Sequence, residues 1–124
     1  MANSSSKILS IVLFLTLISQ GRYSQCSLHD LSITQRQTGA KFEGKAEWSV
    51  TITNKCPCVQ KNVILNCIGF QSAKTIDPSI FRRVSSQSCL VNAGQPVYAD
   101  AIKFNYVWDH SFPLNPLSSE ISCS

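Results

Sequence analysis

The residues with most chemistry in them are six cysteines, at positions 26, 56, 58, 67, 89 and 123. Cys56 and Cys58 stand a single proline apart in the stretch NKCPCVQKN. Such a pair can ligate a metal, cycle as a redox couple, or anchor disulfides to two other places. Together with Cys67, Cys89, His29 and His110 it offers enough sulfur and imidazole for zinc, yet structural zinc sites use paired CxxC or HxxxH knuckles, and a CxC with the rest dispersed does not match. Redox couples use C-x-x-C at a helix start, where the dipole lowers the thiol pKa; CPC is one residue short and no helical pattern follows it. A bridge from Cys56 to Cys58 is also disfavoured, because an extended chain holds i and i+2 about 7 Å apart, the outer limit for a disulfide. Disulfides to other partners are the expectation, with Pro57 fixing φ between the two sulfurs. Neither a metal nor a cofactor is expected.

Other catalytic signatures are sparse. The chain has no GxSxG, no glycine loop of the phosphate-cradling type and no DxD to hold a metal-bound sugar nucleotide. His29-Asp30 and Asp109-His110 are adjacent pairs, and neighbours along a strand point to opposite faces, which argues against a dyad. The expectation is a protein that is not an enzyme. Four aromatics, Trp48, Tyr98, Tyr106 and Trp108, suggest a sugar-stacking platform as a rival function. Trp48 lies on the apolar face of its strand and is expected in the core; Trp108, at the end of its run and placed on the face opposite Tyr106, is the ring left for binding. Eleven basic residues against seven acidic ones give a formal charge of +4. Arg82-Arg83 is the sole adjacent basic pair among the residues after Gly21, so the charge is scattered and nucleic acid is not an expected partner.

The N-terminus sets the compartment. MANSSSK carries one positive charge, the next twelve residues, ILSIVLFLTLIS, are apolar throughout save for small hydroxyl residues, and Ser19 and Gly21 flank Gln20. This pattern predicts a secretory signal peptide over residues 1–21. The run is shorter than the roughly 20 residues a membrane span needs, and no second run follows, so no membrane anchor is expected. Residues 22–124 then form one small cysteine-rich domain, whose modest core benefits from covalent staples. In an exported protein an even cysteine count reads as a disulfide framework.

The elements that must position these cysteines are short and alternating. Ala46 to Thr53 is the clearest, with Trp48, Val50 and Ile52 on one face and Ser49, Thr51 and Thr53 on the other. Leu28 to Thr34, Val63 to Cys67, Ala99 to Val107 and Ser119 to Cys123 extend the set, and Ile76 to Phe81 is expected at an edge because Pro78 cannot donate to a ladder. Ile102, Phe104 and Tyr106 share a face. The fold class is all-β, a small disulfide-stapled antiparallel β-sandwich. Running these strands as a meander places Cys26 and the CPC turn at one end and Cys67 at the other. The expected pairing is then Cys67 with Cys123, with Cys26 and Cys89 sharing Cys56 and Cys58.

The second half of the chain, ILNC-IGFQSAKTIDPSIFRR, then CLVNAGQPV, then IKFNYVWDHSFPL and a cysteine beside the C-terminus, resembles the plant Tapetum Determinant family of small secreted cysteine-rich proteins. The resemblance runs from Cys26 to Cys123. It implies an extracellular, apoplastic signalling ligand for a leucine-rich-repeat receptor kinase ectodomain, acting in anther or other cell differentiation. Loops carry function more often than strands do, so the candidate receptor contacts lie in Ser72 to Ser88, with Lys74, Arg82 and Arg83, and in Asp109 to Leu117, with His110 and Phe112; Trp108 joins them. A carbohydrate or cell-wall polysaccharide binding module is the alternative.

Overall fold

The computed structural model describes residues 26–123; the expected signal peptide lies outside them. Seven strands run in the order β1 (Leu31–Phe42), β2 (Lys45–Asn54), β3 (Val59–Asn66), β4 (Phe81–Arg83), β5 (Ser88–Val91), β6 (Ile102–Trp108) and β7 (Pro116–Ser122). They form a three-stranded sheet, β1-β2-β6, and a four-stranded sheet, β4-β5-β3-β7. Every pairing is antiparallel, and three disulfides join the chain. The expected all-β, disulfide-stapled sandwich is what forms.

Period-two alternation builds the core. In β2, Val50 and Ile52 are fully buried, and across the sheet they meet Gln35 and Ile33 of β1 and Phe104 and Ile102 of β6. The second sheet answers with Val63, Leu65, Cys67, Cys89, Val91 and Phe81. Full burial of an aliphatic or aromatic side chain of this kind contributes about 1.5–3 kcal/mol. Phe70, from the loop after β3, joins the cluster edge-on to Phe81 and Tyr106, with centroids 5.2 and 5.0 Å away.

Several boundaries differ from the sequence expectation. Leu28–Asp30 is a 3-10 turn rather than strand, because Ser27 and Asp30 form a capping box: the Ser27 hydroxyl accepts from the His29 amide and the Asp30 carboxylate accepts from the Ser27 amide. Strand β1 then continues to Phe42, well past Thr34, through a register shift between Gln37 and Lys41. It turns at Glu43 and Gly44, which take φ of 52° and 80°, the left-handed pair a two-residue hairpin needs. The edge strand expected over Ile76 to Phe81 starts only at Phe81. Before it, the Asp77 carboxylate accepts from both the amide and the hydroxyl of Ser79, and the Asp77 carbonyl accepts from the Ile80 amide, so the segment is a turn. Strand β5 was not expected at all.

The chain does not meander. It leaves the first sheet after β2, builds β3, β4 and β5 in the second, returns to add β6 beside β2, and crosses again to set β7 beside β3. The outer edge of β6 is occupied as well: Ala73 donates its amide to the Val107 carbonyl at 2.9 Å, and the Val107 amide donates to the Ser72 hydroxyl at 3.1 Å. The edge of β6 is thereby capped at Val107.

Candidate functional site

β2 ends at Asn54, β3 begins at Val59, β7 ends at Ser122 and β1 begins at Leu31, with Leu31 opposite Asn54 and Val59 opposite Ser122. The CPC turn therefore shares one end of the sandwich with Cys26 and Cys123. Cys56 bonds to Cys26 and Cys58 to Cys123, with Cα separations of 5.7 and 4.7 Å, while Cys67 bonds to Cys89 at 5.9 Å. The expected Cys67–Cys123 bridge is thus overturned. β7 runs antiparallel to β3, so its C-terminal end reaches the start of β3, where Cys58 is, and not its finish, where Cys67 is. Cys89 follows from the same topology: β5 pairs Cys89 with Leu65, two residues from Cys67.

A buried polar knot holds the turn. Asn54 is 2% exposed and Gln60 fully buried. The Asn54 amide donates to the carbonyls of Cys58 and Val97, each at 2.9 Å, and its oxygen accepts from the Cys56 amide at 3.0 Å. The Gln60 amide donates to the Ser27 carbonyl and to the Asn54 oxygen, while its own oxygen accepts from the Ser119 hydroxyl at 2.6 Å. Among the described residues no buried side-chain polar atom lacks a partner, as the cost of an orphaned group requires. Neither Asn54 nor Gln60 was singled out from the sequence. The signal was present: Asn54 continues the inward series Trp48, Val50, Ile52, and a polar residue on that face must be satisfied internally. With its sulfurs oxidised the cluster offers no thiolates, so the chemistry of the donor set does not suit a metal.

The opposite end is shaped by a clamp. The Tyr106 hydroxyl donates to the Gln35 oxygen and accepts from the Phe112 amide, and the Gln35 amide donates to the Phe112 carbonyl at 2.7 Å. Burial raises the Tyr106 pKa above its usual value, partly opposed by the hydrogen bond from Phe112. At the Asp77 turn the Ser79 hydroxyl and then the Ser79 amide lower the Asp77 pKa.

The expected contact residues fall in different places. Phe112 is 6% exposed and packs within 5.4 Å of Phe70 and 5.9 Å of Tyr106 by ring centroids, so it is a core residue, correcting its selection as a surface contact. Trp108 is half-buried and packs against the core. Its placement opposite Tyr106 is also corrected, since residues two apart on a strand share a face. Its carbonyl accepts from the Trp48 indole at 3.3 Å and Lys45 lies 5.4 Å above its ring. Trp48 is likewise half-buried against the core. Lys74 stands 3.7 Å from Glu47, whose strand neighbour is Val107, so Lys74 and Trp108 occupy the same end of the first sheet. His110 is exposed, its ring 4.8 Å from that of Phe112. Arg82 and Arg83 lie on the edge strand of the other sheet. Arg83 is engaged, donating to the carbonyls of Ser86 at 2.9 Å and Phe70 at 2.6 Å, whereas Arg82 is exposed opposite Leu90. His29 and His110 are at opposite ends of the first sheet, so neither supplies the other with a catalytic partner.

The family described as Tapetum determinant 1, C-terminal, matches residues 27–124. An uncharacterized protein of Arabidopsis thaliana is 35% identical over 115 residues, covering 90% of each chain. TPD1 protein homolog 1 of the same plant is 33% identical over 79% of this chain and 55% of its own length. TPD1 protein homolog 1A of Oryza sativa subsp. japonica is 28% identical over 76% of this chain and 45% of its own. The chain thus spans about half the length of these two TPD1 homologues. No solved structure matches it. With the family match extending over nearly all the described residues, the chain belongs to the Tapetum determinant 1 family.

Proposed function

We propose that this protein is an exported, non-enzymatic signalling ligand in plant development, recognised by the leucine-rich-repeat ectodomain of a receptor kinase. Membership of the Tapetum determinant 1 family carries the proposal. The physical form of the domain supports it: three bridges and a sealed core present loops and strand edges in fixed positions, so little ordering entropy is lost when a partner binds. Residues 1–21 act as the export signal, residues 22–124 as the single folded unit, and the apoplast is the site of action. Arg82, Lys74, His110 and the half-buried Trp108 are the contacts proposed; Phe112 packs beside His110.

The polysaccharide alternative is less well supported, because Trp48 and Trp108 are both packed against the core and a sugar platform needs open ring faces. The test is binding of the oxidised protein to a panel of immobilised leucine-rich-repeat ectodomains and, in parallel, to insoluble wall polysaccharides. Saturable binding to one ectodomain, weakened by Arg82→Ala without a change in melting temperature, is expected. Retention on polysaccharide that Trp108→Ala abolishes, with no ectodomain bound, would replace this function with the alternative.

A further inference from the structure

The three bridges are not equivalent. Cys67 and Cys89 are fully buried, whereas Cys26 and Cys58 are half-buried and Cys123 is exposed. An open hollow of about 290 Å³, lined by Pro57, Cys58, Val59 and Ser122, adjoins the Cys58–Cys123 bridge. The sulfurs of Cys26, Cys58 and Cys123 all lie within 4.8 Å of one another, although they belong to two different bridges. The Cys58 amide donates to the Cys56 sulfur at 3.3 Å.

From these observations we propose that the two bridges at the CPC turn form a thiol–disulfide exchange site whose outside reactant is a dithiol. Exchange needs a reachable sulfur and a thiolate close to a second disulfide, and this end of the sandwich supplies both. In the first step a thiolate of the dithiol attacks the exposed Cys123 sulfur. The second dithiol sulfur then closes on the first, so that the dithiol is oxidised to its disulfide and Cys58 and Cys123 are left as thiols, a transfer of two electrons. In the second step, either Cys58 or Cys123, as thiolate, attacks the Cys26 sulfur. A new bond forms to Cys26, the Cys26–Cys56 bond breaks, and the electron pair leaves on Cys56. Cys56 takes a proton from solvent in place of the one its attacker lost, so this step involves no net oxidation.

Two neighbours act on the sulfur that leaves. The Cys58 amide favours a negative sulfur at Cys56, as hydrogen bonds to thiolates do. The Asp30 carboxylate, within 4.8 Å of the Cys26 and Cys56 sulfurs, disfavours it. The two influences oppose each other at Cys56, and alkylation of the Cys56 thiol traps the isomer. Cys67–Cys89, with no other sulfur in its cluster and no exposure, stays outside the exchange and keeps the core joined.

The test treats the oxidised protein with one equivalent of dithiothreitol near pH 8, where thiolate is available, quenches with N-ethylmaleimide and maps the peptides without reduction. Alkylated Cys56, with Cys26 joined to Cys58 or Cys123 and Cys67–Cys89 intact, is the expected result. A Cys123→Ser variant, which leaves Cys58 as a lone thiol, should show Cys26 joined to Cys58 and Cys56 alkylated with no dithiol added. If that variant fails to fold, the wild-type map still decides. Alkylation confined to native pairs with no new cross-link, or opening of Cys67–Cys89 ahead of Cys58–Cys123, would overturn the proposal.

Discussion

Asn54→Ala is the most searching test of how the CPC end is built. The side chain makes four hydrogen bonds, to the Cys58 and Val97 carbonyls and from the Cys56 and Gln60 amides. Two of the partners keep a substitute after the change: the Val97 carbonyl still accepts from the Gln60 backbone amide, and the Gln60 side chain still donates to Ser27. The Cys56 amide and the Cys58 carbonyl do not. Orphaning the buried Cys56 N–H costs about 1–3 kcal/mol, and each further neutral hydrogen bond lost costs about 1 kcal/mol, so a destabilisation of about 3 kcal/mol is expected. In a domain of this size that corresponds to a fall in Tm of roughly 12–24 °C. Urea unfolding with the bridges intact should show the midpoint move with the slope unchanged. Asn54→Asp, which keeps the acceptor for Cys56, should lose less at low pH, where the carboxyl is neutral and can donate. A loss below about 1 kcal/mol for the alanine variant would refute the knot as what fixes the turn.

Three further outcomes follow from the other end of the fold and from the second sheet. Phe112→Ala should cost about 3–5 kcal/mol by chemical denaturation; loss of partner binding with stability intact would instead restore Phe112 as a surface contact. Because folding raises the Tyr106 pKa, its contribution is fully present below the unfolded tyrosine value near 10 and is lost as pH rises through the folded value; Tm should fall above about pH 10, and less steeply in Tyr106→Phe. Arg83→Ala should destabilise by about 1–2 kcal/mol, through its lost bonds to Ser86 and Phe70, while Arg82→Ala should stay within about 0.5 kcal/mol of wild type. Equal effects of the two would contradict the distinction drawn between an engaged and an exposed guanidinium.

How far the sequence disclosed this fold depends on how local each signal is. Strand β2 was legible because Trp48, Val50, Ile52 and the alternating Ser and Thr residues carry their own pattern. Strand β5 was not: Ser88–Val91 is four residues long and follows a serine-rich turn, and what makes it a strand is β3 on one side and β4 on the other. Phe112 reads as a loop residue beside proline, and its burial depends on Gln35 and Tyr106, the former 77 residues away. The cysteine count gave three bridges correctly, yet their pairing hinged on the direction of β7 relative to β3. An assumed meander sends Cys123 towards Cys67; the observed crossover sends it to Cys58. Asn54 was the missed opportunity, since its position in the alternation placed it inside.

The same long-range features bear on how a partner would be recognised. One end of the sandwich is tied by two bridges and by Asn54 and Gln60, Phe112 is held by the Gln35–Tyr106 clamp, and Ser72 and Ala73 bond to Val107 at the outer edge of β6. A surface held in this way is ordered before it meets anything, and affinity gained by prior ordering is lost when the ordering is removed, even if every contact residue is retained. Opening Cys58–Cys123 opens no hole in the core, because Cys67–Cys89 and the apolar residues around it remain; what it releases is the end of β7 and, through exchange, the Cys26 arm. Weaker binding by the partly reduced protein, with the fold retained, would then reflect a cost in order rather than a missing contact. This separates it from the effect expected of Arg82→Ala, which removes a proposed contact and leaves the order intact.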